Sequence, residues 1–121
     1  MKNLLRILML FILVFSAFVY SGEANVTKVE FNKNKSNLYN FQVTVLHQDE
    51  GWDHYVNKWD IIDENNNVIA TRILHHPHVT EQPFTRSLSG VKIPSNVKTI
   101  TIRAYDKVHK YGGKTIKLKI K

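Results

Sequence analysis

The stretch Asn40-Phe41-Gln42-Val43-Thr44-Val45-Leu46-His47 sets apolar Phe41, Val43 and Val45 against polar Asn40, Gln42 and Thr44. Successive side chains of an extended chain point to opposite faces, so the alternation predicts a strand with one face in a core and the other in water. The same period of two recurs on both sides of it. Before it, Val29 and Phe31 alternate with charged neighbours; after it come Tyr55, Trp59 and Ile61, then Ile69, Thr71 and Ile73. Phe84, Arg86 and Leu88 form a weaker example. Ile100, Ile102 and Ala104 alternate with Thr99, Thr101 and Arg103, and Ile116, Leu118 and Ile120 alternate with lysines. Turn-forming residues separate these runs: Asn32 to Asn37, Asp63 to Asn67, Pro94 to Asn96, and Gly112 with Gly113. No helical stripe, internal repeat or linker interrupts the pattern. The reading is all-β: a single seven-stranded antiparallel β-sandwich, immunoglobulin-like or fibronectin-like, with Trp59 in its core. A jelly-roll fragment and a small barrel are the alternative architectures.

The first residues carry a different pattern. Lys2 and Arg6 precede a stretch from Ile7 to Tyr20 that is apolar apart from Ser16, and the small residues Ser21, Gly22 and Ala24 follow. The stretch is shorter than the roughly 20 residues of a membrane-spanning helix, so it reads as a signal peptide. Residues 1–24 are the expected signal and residues 25–121 the expected mature domain, with cleavage after Ala24. The alternative is an uncleaved N-terminal anchor. A signal peptide predicts a periplasmic or secreted protein with no membrane span in its mature form.

Loss of residues 1–24 removes Lys2, Arg6 and Glu23, so the net charge falls from +7 to +6, and both methionines leave as well. The chain has no cysteine, which excludes a disulfide, a thiolate nucleophile and any sulfur ligand for a metal. Lys28, Lys33 and Lys35 near the first strand, and Lys117, Lys119 and Lys121 along the last, are spread as solvated strand faces and protected edges. They form no nucleic-acid patch.

In a sandwich of this connectivity the second, fourth and sixth connections gather at one end. They carry His47, Asp49, Glu50, Trp52, Asp53 and His54; then His75, His76, His78 and Glu81; then Asp106, His109 and Tyr111. All six histidines therefore fall at or beside one end, whereas the other end receives only turn residues. Imidazole nitrogen with carboxylate oxygen suits a divalent transition metal, here Cu(II) or Zn(II). The preferred ligands are His54, His76, His78 and His109, with His47, Asp53 and Glu81 as further candidates. In His76-Pro77-His78 the two histidines are two apart and share a face of an extended segment. Each has a plainer role available: His47 as a hydrogen-bonded core histidine, Asp49, Asp53 and Asp106 as turn residues bonded to their own backbone, and Arg86 as a partner of Glu81 or Asp53.

Two other classes of function use the same end. Trp52, Tyr55, Phe84 and Arg86 are the residue types that anchor recognition surfaces, which predicts an exported protein or small ligand as partner. An enzyme would be metal-assisted, with Asp53 or Glu81 as general base, because no nucleophile elbow and no glycine-rich phosphate loop is present. The oligomeric state is not written in the pattern.

Three segments carry a resemblance. They are His47-Gln48-Asp49-Glu50-Gly51-Trp52-Asp53-His54-Tyr55, then the run from His75 through His78, Glu81-Gln82-Pro83-Phe84-Thr85-Arg86 to Leu88, and finally Asp106-Lys107-Val108-His109-Lys110-Tyr111-Gly112-Gly113. Together they resemble an uncharacterised family of small secreted bacterial β-sandwich proteins, a likeness that implies fold and export and brings no reaction or ligand. The chain is more loosely similar to superoxide reductases, which also bind iron through histidine-rich loops of a sandwich and a His-Pro segment. The cysteine that defines their iron centre has no counterpart here, so the likeness does not imply their activity.

Overall fold

The computed structural model describes residues 22–121. Of the expected signal segment, residues 1–21 lie outside the described residues. The strands are β1 (Asn25–Lys33), β2 (Tyr39–Leu46), β3 (Val56–Ile62), β4 (Val68–Ile73), β5 (Phe84–Val91), β6 (Thr99–Asp106) and β7 (Ile116–Lys119). They form a three-stranded sheet in the order β1-β2-β5 and a four-stranded sheet in the order β4-β3-β6-β7. All pairings are antiparallel. The molecule is thus a β-sandwich. Its fourth strand pairs with the third, unlike the constant immunoglobulin arrangement, in which the fourth joins the sheet of the first, second and fifth.

The period of two explains which residues meet. Phe41, Val43 and Val45 of β2 are buried, as are Trp59 and Ile61 of β3 and Ile100, Ile102 and Ala104 of β6, and all belong to one apolar cluster. Alternation is clean in β2 and β6, each of which has a neighbour on both sides and one face against the opposite sheet, whereas β3 is buried continuously from Trp59 to Ile62. It fades in β4 and β5, which are edge strands, so Val68 and Ile73 remain exposed. Tyr55 and Ile120 belong to the expected runs but lie one residue outside the observed strands, before β3 and after β7.

The connections β2–β3, β4–β5 and β6–β7 lie at one end of the sandwich. Gln82 straps two of them together: its Oε1 accepts the His47 N–H at 3.0 Å and its Nε2 donates to the His78 carbonyl at 2.9 Å. The β6–β7 connection is held by Tyr111, whose hydroxyl donates to buried Asp60 at 2.7 Å while Arg103 lies over its ring.

Candidate metal centre

Strand β2 ends at Leu46, but its inward row Phe41, Val43, Val45 continues one step to His47, which is 2% exposed. In β6 the row Ile100, Ile102, Ala104 ends on Asp106, which is fully buried. The two strands belong to opposite sheets, so the last inward position of each faces the same space at the end of the core. A third residue enters from the β2–β3 loop. Gly51 adopts a φ of 117°, a conformation open to glycine because it has no Cβ. The chain reverses there, with the His54 N–H donating to the Gly51 carbonyl at 3.2 Å and the Glu50 N–H donating to the His54 carbonyl at 2.9 Å.

The result is a compact group of donors. His47 Nε2 and His54 Nε2 are 3.2 Å apart. His54 Nε2 is 3.3 Å from Asp106 Oδ1, and His47 Nε2 is 3.9 Å from Asp106 Oδ2. These three residues offer ligand atoms that all lie within 4.8 Å of one another. His109 stands beside them, its Nδ1 3.4 Å from Asp106 Oδ1 and its ring centroid 5.1 Å from that of His54.

Asp106 has two tasks. Its Oδ1 accepts the N–H groups of Val108 at 2.8 Å and His109 at 2.6 Å, a side-chain turn that folds His109 back over the group. Its Oδ2 is buried and has no hydrogen-bond partner among the described residues. A buried carboxylate oxygen without a partner is costly, and a cation is one of the few things that satisfies it.

His47 is held from behind. Its Nδ1–H donates to Asp49 Oδ1 at 2.5 Å, which leaves Nε2 directed at His54 and at the carbonyl of Gly22, 3.0 Å away. A carboxylate bonded to one imidazole nitrogen orients the ring and strengthens the other nitrogen as a ligand. Asp49 is itself fixed by the N–H groups of Val56 at 3.2 Å and His78 at 2.7 Å. Burial alone would raise the Asp49 pKa, but the His47 bond and these two N–H groups outweigh it and hold the carboxyl below its ordinary value. Burial likewise opposes charge on His47, yet the bond to Asp49 and the negative charges of Asp49 and Asp106 carry its pKa above the ordinary imidazole value.

The other expected ligands lie elsewhere. His78 is buried with its ring stacked on Phe84 at 4.1 Å, and neither ring nitrogen has a hydrogen-bond partner among the described residues. His76 is exposed and packs its ring 4.7 Å from that of His78, and His75 is exposed beside it. The spacing of two does bring the rings together, but on the Phe84 side of Asp49. Glu81 is exposed and pairs with Arg86 at 2.8 Å, and Asp53 is exposed in the β2–β3 loop. Of the expected recognition residues, Phe84 is part of the core and offers no surface, whereas Trp52 is 62% exposed with its ring edge-on to Tyr55. Arg86 is half-buried over Phe84. Asp106 and the Gly22 carbonyl were not among the expected ligands. For Asp106 the signal was available, because it is the next inward position after Ile100, Ile102 and Ala104.

Among curated proteins, one from Halomicrobium mukohataei named "Putative lipoprotein" is 33% identical to this chain over 94 residues. The match covers 78% of this chain and 46% of the relative, so the chain spans about half the length of the relative it matches. No family model matches the chain, and no solved structure does.

Proposed function

We propose that the protein is an exported domain that binds one divalent transition metal ion, Zn(II) or Cu(II), through His47, His54 and Asp106, with His109 as a fourth ligand. The observation that carries this reading is the pair of imidazole Nε2 atoms 3.2 Å apart beside a buried carboxylate oxygen that has no partner among the described residues. Two donors about 2.0–2.1 Å from one tetrahedral ion are separated by about 3.3 Å, so the ring nitrogens already stand at the spacing of ligands on one metal. The donor set contains no sulfur and mixes imidazole with carboxylate, which suits these ions. Asp49 behind His47 is the outer partner that such histidine ligands ordinarily have. Export is supported by the signal-like residues 1–24 and by the relative's name. No residue of these 121 is a cysteine, so none can carry a lipid on sulfur.

The chemistry supplied by the chain is ion capture with proton release. With its Nδ1–H given to Asp49, His47 gives up a proton from Nε2 when a metal takes that position, and Asp106 contributes the negative charge that offsets the ion. The test is metal content of the protein purified without a histidine tag, followed by titration with Zn(II) and Cu(II). Stoichiometric binding by the wild type that is lost in His54→Ala and Asp106→Asn is the expected result; wild-type affinity no better than about millimolar overturns it.

One observation favours a second role at the same end. Trp52, Val79 and Val108 are each more than half exposed, and Lys107 reaches over Tyr55 and donates to the Trp52 carbonyl at 2.8 Å. A rim of this kind fits an exported partner that docks beside the metal.

A further inference from the structure

The segment just before β1 belongs to the fold, which bears on where the precursor is cut and what the cut creates. Ala24 is 1% exposed and part of the core cluster. Its carbonyl runs so close to Gly113 that a Cβ built on that glycine would lie 1.6 Å from the oxygen. The Glu23 carboxyl lies against Gly112 in the same way, with Oε1 2.9 Å from the Cβ position. Cleavage after Ala24 would therefore remove a buried residue and the strip of backbone that the Gly112-Gly113 pair is shaped to receive.

Gly22 reaches further, into the metal centre itself. Its carbonyl oxygen is 3.0 Å from His47 Nε2, and a Cβ on Gly22 would lie 2.6 Å from His109 Cε1 and 3.1 Å from His109 Nε2. The backbone of this one residue thus sits between two of the proposed ligands, and a Cβ there would require the His109 ring to shift. Ser21, directly before it, is a small residue of the kind required at the end of a signal segment.

We infer that the signal is removed between Ser21 and Gly22, and that the new α-amino group of Gly22, together with its carbonyl oxygen, forms one arm of the metal site. Hydrolysis of that peptide bond consumes one water and leaves a carboxylate on Ser21 and an amine on Gly22. A free α-amino group has a pKa near 8, so it loses its proton readily to a metal, and amine and carbonyl of the same residue close a five-membered chelate. Maturation then does more than release the protein, because the cut that frees the chain also creates a nitrogen ligand beside His47 and His109. This rests on the metal-binding reading above and adds to it a ligand that exists only after processing.

The experiment starts from the whole precursor, expressed in a host that exports it, with the mature protein recovered outside the cytoplasm. Intact mass and N-terminal sequencing give the cut site; a mature chain beginning at Gly22 is expected, and one beginning at Asn25 or any other residue overturns the inference. The exported protein is then titrated with Cu(II) and Zn(II) before and after pyridoxal-phosphate transamination, which converts the terminal glycine amine to a carbonyl and leaves the lysines intact. Affinity is expected to fall at least about tenfold, the scale on which even outer partners of a metal act. Unchanged affinity after transamination, with His54→Ala still abolishing binding, overturns the amine ligand while leaving the His47–His54–Asp106 site standing. No binding by the untreated protein overturns both readings. Electron paramagnetic resonance of the Cu(II) form grown on 15N-glycine is independent of folding defects: an altered nitrogen splitting is expected, and an unaltered one excludes the glycine amine.

Discussion

Two groups of three histidines share one end of this sandwich and have opposite surroundings. His75, His76 and His78 are neighbours in sequence, yet His78 stacks on Phe84 with its ring nitrogens unpartnered among the described residues and His75 and His76 face solvent. His47, His54 and His109 come from two connections and converge on Asp106. The difference is the carboxylate. Asp106 and Asp49 give the second group both a charge to gather around and a fixed tautomer, whereas His78 touches Asp49 only through its backbone N–H and has a ring nitrogen no nearer than 3.9 Å. Proximity of rings makes a cluster; a shared anion makes a candidate site.

The sharpest way to break this contrast is Asp106→Asn. It removes the shared charge while keeping an oxygen to cap the Val108 and His109 N–H groups, and should lower metal affinity by at least about 100-fold, at or beyond the upper end of outer-partner losses, by titration calorimetry. Asp49→Asn tests the support behind His47 and should cost about 10- to 100-fold in affinity. Because Asp49 also holds the His78 N–H, this variant should lose stability as well, readable in denaturant unfolding of the metal-free protein.

His78→Ala separates packing from ligation. Deleting a buried ring from the face of Phe84 should destabilise the metal-free protein by roughly 2–4 kcal/mol, with metal affinity unchanged. A loss of affinity comparable to that of His54→Ala would mean that the two groups form one site. His76→Ala, at an exposed position, should alter stability by no more than about 0.5 kcal/mol and leave affinity unchanged.

One member of each group, His47 and His78, differs from the other in the sign of its response to pH. The raised pKa of His47 means that the metal-free folded state holds its proton more tightly than the unfolded chain. Its contribution to stability is full below the ordinary imidazole value and is lost as pH rises through the folded value. His78 does the opposite: burial first, then the positive charge of Arg86 and the neighbouring His76, push its pKa down. The folded state resists its protonation, so stability falls as pH drops below the ordinary imidazole value toward the folded one. Proton titrations of the two rings by nuclear magnetic resonance should place His47 above and His78 below that value. Both below, or both above, would erase the electrostatic distinction between these two rings.

The alternation of Phe41, Val43 and Val45 and of Ile100, Ile102 and Ala104 was enough to read the sandwich from the sequence, because a period of two with one buried face is a local property of each strand. The same rows, followed one step further, point to His47 and Asp106 at the rim of the core. Gathering of the histidines at one end was legible too, since it follows from connection order. Which histidines meet was not legible. His76-Pro77-His78 has the spacing of a ligand pair, but its ring positions depend on Phe84 and on the strap made by Gln82, which tie together segments distant along the chain. The place of Gly22 between His47 and His109 lies equally outside local pattern. A strand's faces are set by adjacent residues, but a site is set by loops packed against one another, and only the tertiary structure decides that packing.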